Sequence, residues 1–245
     1  MEIPPPQLPE NVTKIAVDEK FTFSCHPGVS CFTDCCRQLE LALTPYDVLR
    51  LRFGTKMASR QLHDNYIIME QESGEPFPRF YLTMVDDGRD SCVFVNDRGC
   101  TIYDHRPGAC RAYPMGRGAT RQADGTINDF HVLLKESHCR GFEESTIQDV
   151  AAYSRDQGLT PYNRFNDEVA VILQHEQIRQ GMILSDEQRA AFILALYDLD
   201  TFRIRLTENS LPGPAPQKPG KSVAEDDETL LLFAIQWLNS FLYKE

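Results

Sequence analysis

Apolar Val48, Leu49 and Leu51 follow Thr44-Pro45-Tyr46-Asp47, an order that predicts a helix from Thr44 to Gly54. Thr44 suits the N-cap, Pro45 the first helical position, and Asp47 the positive end of the helix dipole. A second short helix is expected over 55–65. From Arg79 to Tyr103 the period falls to two. Phe80, Leu82 and Met84 alternate with Tyr81, Thr83 and Val85, and Asp87-Gly88 marks a turn. Cys92-Val93-Phe94-Val95 and Cys100-Thr101-Ile102-Tyr103 flank Asn96-Asp97-Arg98-Gly99 and read as a hairpin, with Cys92 and Cys100 at opposite ends of paired strands. Arg106-Pro107-Gly108-Ala109-Cys110-Arg111 reads as a turn into a short helix. After Cys139 the helical period returns, with helices expected near 146–156, 161–180 and 186–206. Ser145 with Gln148, and Ser185 with Gln188, fit capping boxes. Asp226, Asp227 and Glu228 then open a last helix whose stripe of Leu231, Phe233, Ile235, Trp237, Leu238 and Phe241 predicts a core-docking face.

These elements predict an α+β chain, mostly helical with little sheet. It divides into an extended, Pro-rich lead-in over 1–20, a cysteine-bearing metal domain with short β-hairpins over 21–142, and a helical subdomain over 143–208. A flexible Pro/Gly/Lys-rich linker over 209–222 and a docking helix over 223–245 complete it. With 245 residues and 42% hydrophobic positions, an ordinary core forms without covalent staples. A net charge of −11 argues against a nucleic-acid groove, which needs clustered Lys and Arg. The most apolar stretch, Leu230 to Leu242, is broken by Gln236 and Asn239 and falls short of the roughly 20 apolar residues that span a bilayer. The opening Met1-Glu2-Ile3-Pro4-Pro5-Pro6 lacks the basic and apolar regions of a secretory signal, so a cytoplasmic location is expected. Thiols stay reduced there, and structural disulfides are not expected.

That changes the meaning of the cysteines. All eight lie between Cys25 and Cys139, as Cys25-x5-Cys31-x3-Cys35-Cys36 and then Cys92-x7-Cys100-x9-Cys110 with Cys139. Thiolates are soft ligands for zinc and iron–sulfur clusters, so all eight are candidate metal ligands. They would make two four-ligand sites, or one cluster with spare thiols. Neither group has the spacing of a zinc ribbon or a bacterial ferredoxin. Side chains of consecutive residues diverge, so Cys35 and Cys36 suit either two irons of one cluster or two separate sites. That geometry tilts the reading toward a cluster. Fully thiolate coordination leaves no open position, which points to structural or electron-transfer work more than to catalysis.

Arg106 and Arg111 are the candidate cofactor-binding residues around the metal, donating to sulfur or offsetting thiolate charge. The alternative is a surface salt bridge, with Asp104 as partner. His26, His105 and His138 lie near cysteines and read as hydrogen-bonding or exposed residues before ligands, His138 being the best placed. Phe80, Tyr81, Phe94, Tyr103 and Tyr113 are expected to shield the centre from water.

The block ending in Cys35-Cys36, the Leu43-Thr44-Pro45-Tyr46-Asp47-Val48 helix start, Gly99-Cys100-Thr101-Ile102-Tyr103 and Arg106-Pro107-Gly108-Ala109-Cys110-Arg111 together resemble one family. This is the YkgJ-type cysteine-cluster family, also called the CxxCxxCC or zinc/iron-chelating family. The resemblance covers about residues 25–142. It implies eight cysteines binding zinc or an iron–sulfur cluster; some members are called iron–sulfur oxidoreductases, and a relative with added regions is assigned as a flagellin lysine N-methylase. The first block departs from the family's C-x2-C-x2-C-C by its longer loop, and Tyr113 stands where Phe is common. The leading expectation is a cytoplasmic iron–sulfur protein, with [4Fe-4S] the expected cluster, acting in electron transfer or as an oxidoreductase with a protein redox partner. The alternatives are a Zn2+-stabilised binding module without redox activity, and a lysine N-methylase-like enzyme. The last lacks a Gly-rich loop after a strand to hold a nucleotide-like cofactor.

Overall fold

The computed structural model describes residues 8–213, 223 and 225–243. Within the expected lead-in, β1 (Val12–Ile15) is a sheet strand, followed by β2 (Lys20–Thr22); residues 1–7 lie outside the described residues. α1 (Pro45–Thr55) starts where the sequence places it. Asp47 N donates to Thr44 Oγ1 and Thr44 N donates to Asp47 Oδ2 at 2.8 Å, a reciprocal capping box. The helix runs one residue past Gly54 and ends at Lys56, whose φ of 57° is left-handed. α2 (Ser59–Tyr66) follows and leads into β3 (Ile67–Glu70), antiparallel to β4 (Arg79–Leu82).

The expected Cys92–Tyr103 hairpin is narrower than its sequence suggests. β5 (Met84–Val85) pairs with β6 (Ser91–Cys92), whereas β7 (Val95–Asn96) pairs with β8 (Gly99–Cys100). Cys92 therefore faces Met84 and Cys100 faces Val95, on different strand pairs. α3 (Gly108–Ala112) is the expected short helix after Arg106-Pro107. The two longest strands, β9 (Met115–Arg121) and β10 (Ile127–Leu134), form a three-stranded antiparallel sheet with β1 in the order β1–β10–β9. Gly118 makes their contact possible, because a Cβ there would lie 2.4 Å from the Phe130 ring.

Ser145 is not the cap expected of it. Residues Ile147–Asp149 form β11 against β2, Gln148 donates to Phe23 O, and Asp149 caps α4 (Val150–Asp156) by accepting from Ala152 N at 2.8 Å. The long helices also break. α5 (Thr160–Leu173) stops short of 180, and His175 caps the separate α6 (Glu176–Arg179). α7 (Asp186–Tyr197) has the expected Ser185–Gln188 box, and Asp198 separates it from α8 (Leu199–Thr207). Of the expected linker, residues 214–222 lie outside the described residues. α9 (Asp227–Leu242) is capped by Asp226, which accepts from Thr229 N at 2.7 Å.

The result is a mixed α+β structure with small antiparallel strand pairs and a helical C-terminal region. Its main core joins Tyr46 and Leu49 of α1 to Phe165, Phe202, Leu230 and Leu238, so α9 docks by its apolar stripe as expected. Burying each such large side chain contributes about 1.5–3 kcal/mol. Tyr46 stacks on Phe165 at 4.3 Å between centroids and donates to Glu228 at 2.6 Å, fastening α1 to α5 and α9. A second, smaller core holds Ile15, Phe21, Phe23, Met115, Leu133, Val150 and Tyr153 under the three-stranded sheet. Among the described residues, no helix is long and apolar enough to cross a membrane.

Candidate metal centre

The two cores each carry thiols. Cys92, Cys100 and Cys110 pack against the main core, and Cys139 against the smaller one. Around the smaller core, Phe23-Ser24-Cys25 runs out of β2 and meets the Cys139–Gly141 segment. Ser24 N donates to Gly141 O at 3.0 Å, and Arg140 N donates to Cys31 Sγ at 3.1 Å. Only glycine allows this approach. A Cβ at Gly141 would lie 2.5 Å from Phe23 Cε2 and 2.8 Å from the Ser24 carbonyl oxygen. The segments enclose a cavity lined by Cys25, Cys31, Cys35 and Cys139, with Phe23, Val29, Tyr113 and His138 completing the wall.

Cys35 and Cys36 sit in a 3-10 turn, Asp34–Cys36, whose flanks are unusual. Thr33 (φ 71°) and Gln38 (φ 53°) are both left-handed without being glycine. For β-branched Thr33 this is a strained conformation, of order 1–3 kcal/mol, of the kind that gathers at functional sites. Arg37 Nη1 closes the turn onto Thr33 O at 2.5 Å. Beyond it, Arg37 bridges Ser91 in antiparallel fashion and Gln38 N donates to Asp90 O at 2.9 Å, so this segment runs alongside β6.

Cys110 is set by α1. Asp47 is buried, and its Oδ1 accepts from Gly108 N at 2.7 Å at the start of α3, while Oδ2 holds Thr44. One carboxylate thus caps its own helix and anchors the Cys110 turn. Burial pushes the Asp47 carboxyl up, opposed by these donors and by the nearby Arg111 guanidinium. From sequence alone, Asp47 is legible only as a first-turn residue of α1.

Burial dominates the thiols. It pushes Cys25 up to about 11, reinforced by Cys35, Cys31 and Cys139. Cys92, Cys100, Cys110 and Cys139 also rise through burial first, and Cys35 rises chiefly through its hydrogen bond with Cys36. Backbone N–H groups of Phe94 and Val95 on Cys92, Ile102 on Cys100 and Gly141 on Cys139 act in the opposite sense, favouring thiolate. Without metal these groups hold their protons, so metal uptake must release them and loading should rise with pH.

Arg106 is buried, with its guanidinium 3.8 Å over the Tyr103 ring; it donates to Tyr103 O at 2.8 Å and to Gln157 Oε1 at 2.6 Å. Its charge favours the thiolates of both Cys25 and Cys100, so it acts on both thiol groups. Arg111 is committed to Arg106 O, Tyr162 OH, Gln157 O and the Asp104 carbonyl, and fastens the turn. Hydrogen bonds from either arginine go to oxygen, and the expected role of the Asp104 carboxylate is taken by its backbone oxygen. An Arg106→Gln chain should lose about 1–2 kcal/mol of stability through the vacated bonds. It should also bind metal more weakly at both groups, read by denaturant titration and competition with a chelator; unchanged metal affinity would contradict its electrostatic role.

His26 faces Glu144 at 3.3 Å and accepts from Gly28 N, and His105 meets Arg50 Nη2 at 3.0 Å. Only His138, of the three, lines the thiol cavity. Of the aromatics, Phe80 and Phe94 are buried in the main core, Tyr103 is half-exposed, and Tyr113 reaches the cavity. The Tyr113 hydroxyl is buried beside Cys139 and Glu136, and its interaction with Cys139 favours that thiolate. Phe23 and Val29, which no cysteine spacing singles out, supply the apolar wall.

Among the described residues, no three His, Cys, Asp or Glu side chains yet converge tightly enough to hold a single ion. The donor set nevertheless fits thiolate-bound zinc or iron. Four thiols surround one cavity, a backbone N–H points at sulfur, and a buried tyrosine hydroxyl lies beside Cys139. The family model described as CxxCxxCC, putative zinc- or iron-chelating domain, matches residues 24–149, which include all eight cysteines. The chain belongs to this cysteine-cluster family, whose described property is metal chelation. Neither a curated protein nor a solved structure matches the chain.

Proposed function

We propose that the eight cysteines hold an iron–sulfur centre and that the protein transfers electrons to or from a protein partner in the cytoplasm. The observation that carries this reading is the cavity ringed by Cys25, Cys31, Cys35 and Cys139, with apolar walls and a backbone N–H on Cys31 Sγ. Thiolate ligands, hydrogen bonds to sulfur and exclusion of water are the features by which a protein holds a cluster and sets its potential. When bound, the cluster supplies one-electron chemistry. The chain's own part is to supply thiolates, shield them with Phe23 and Val29, and offset their charge with Arg106.

Zinc is the second reading, and the size of the cavity favours it. The free room is about 10 Å³, close to what one water needs and so suited to a single ion. In that case the metal ties the Cys25 and Cys139 segments together without redox activity.

Visible and electron paramagnetic resonance spectra of anaerobically purified protein, before and after dithionite, separate the two. The iron–sulfur reading expects a broad absorption near roughly 400 nm that bleaches on reduction and returns on reoxidation. A colourless protein, unchanged by dithionite, contradicts it and leaves zinc.

A further inference from the structure

We infer that the eight thiols form two separate four-thiol metal centres, Cys25/Cys31/Cys35/Cys139 and Cys36/Cys92/Cys100/Cys110, which meet at the Cys35–Cys36 peptide. This deepens the proposed function and rests on the cysteines being metal ligands at all. It does not depend on whether the metal is iron or zinc.

The first set shares one cavity. Its members come from three stretches of chain joined by the Ser24–Gly141 and Arg140–Cys31 hydrogen bonds. The second set stands on the other core. Cys92, Cys100 and Cys110 all pack against the main cluster. Cys36 is placed by register. The Arg37–Ser91 bridge and the Gln38–Asp90 hydrogen bond define one antiparallel alignment, and one residue further along it Cys36 falls opposite Cys92.

Cys35 lines the first cavity and the register sets Cys36 beside Cys92, while the two thiols hydrogen-bond to each other where the centres meet. The left-handed Thr33 and Gln38 on either side hold the turn in this posture.

The test is an anaerobic titration of the metal-free full-length chain with Zn2+, followed by native mass spectrometry. Wild type should take up two Zn2+. Cys139→Ser and Cys110→Ser should each keep one, and the double variant none. Cys25→Ser with Cys139→Ser should be no worse than Cys139→Ser alone, since both damage one centre. Because a variant may unfold, wild type is also alkylated during chelator titration and its peptides are mapped. Thiols should become reactive in two groups of four with the membership given above. One Zn2+ in wild type, loss of all metal from a single substitution, or reactive groups that mix the two sets would overturn the division. A wild-type chain that binds no Zn2+ would instead remove the metal-binding reading beneath it.

Discussion

Replacing Asp47 with alanine should lower the unfolding free energy by about 2–4 kcal/mol, the sum of a lost helix cap (about 1) and a buried donor left unpaired (about 1–3). Asp47 caps α1 through Thr44 and receives Gly108 N at 2.7 Å from the turn that carries Cys110. Asp47 is buried and Gly108 is half-buried against the Tyr162 ring, so water replaces the carboxylate poorly. The urea midpoint should fall, and Cys110 should be alkylated faster in the metal-free protein. Asp47→Asn, which keeps the size and one acceptor, should fall between the two. An unchanged midpoint in Asp47→Ala would mean that the turn is held by Arg111 and Tyr162 alone.

Gly141→Ala should empty the metal site bounded by Cys25 and Cys139 and spare the one around Cys110. The added methyl would sit 2.5 Å from Phe23 and 2.8 Å from a backbone oxygen, and the latter has no rotamer by which to give way. Relief requires the Cys139 segment to lift off Ser24, breaking the 3.0 Å hydrogen bond and moving Cys139 from the other thiols. Overpacking of this kind typically costs about 1–3 kcal/mol. Native mass spectrometry should read one Zn2+ per chain in place of two, with the helical circular dichroism signal retained. Two bound Zn2+ in Gly141→Ala would show that the loop approach is not what assembles the first set.

Features written in local chemistry were legible from the sequence. Thr44-Pro45 with Asp47, Ser185 with Gln188, and Asp226 ahead of the last helix each specify a helix start with neighbouring residues alone, and each forms. The docking stripe of α9 was legible for the same reason, since its period needs no partner to be seen. β9 and β10 were not legible. Gly116 and Gly118 interrupt any alternation, and their role appears only when Val132 and Phe130 lie across them. Ser145 competed with Asp149 for one helix and lost, because pairing with β2 draws Ile147–Asp149 into a strand.

The candidate site divides in the same way. That the eight cysteines are the candidate donors can be read from their crowding into 25–139. Any grouping of them could not be read, since which core each segment packs against appears only in the folded chain. Cys92 and Cys100 sit eight positions apart yet belong to different strand pairs, while Cys31 and Arg140 meet across 109 positions. Asp47, Gly141 and Tyr113 carried no metal signal of their own, and their contribution rests on contacts made by the folded chain.

Whether these thiols are metal ligands is decided by the iron, zinc and acid-labile sulfide content of protein purified without exposure to air. Stoichiometric metal on every chain, with iron matched by sulfide, is the expected result. A folded chain free of iron and zinc, with eight freely reactive thiols, would contradict it.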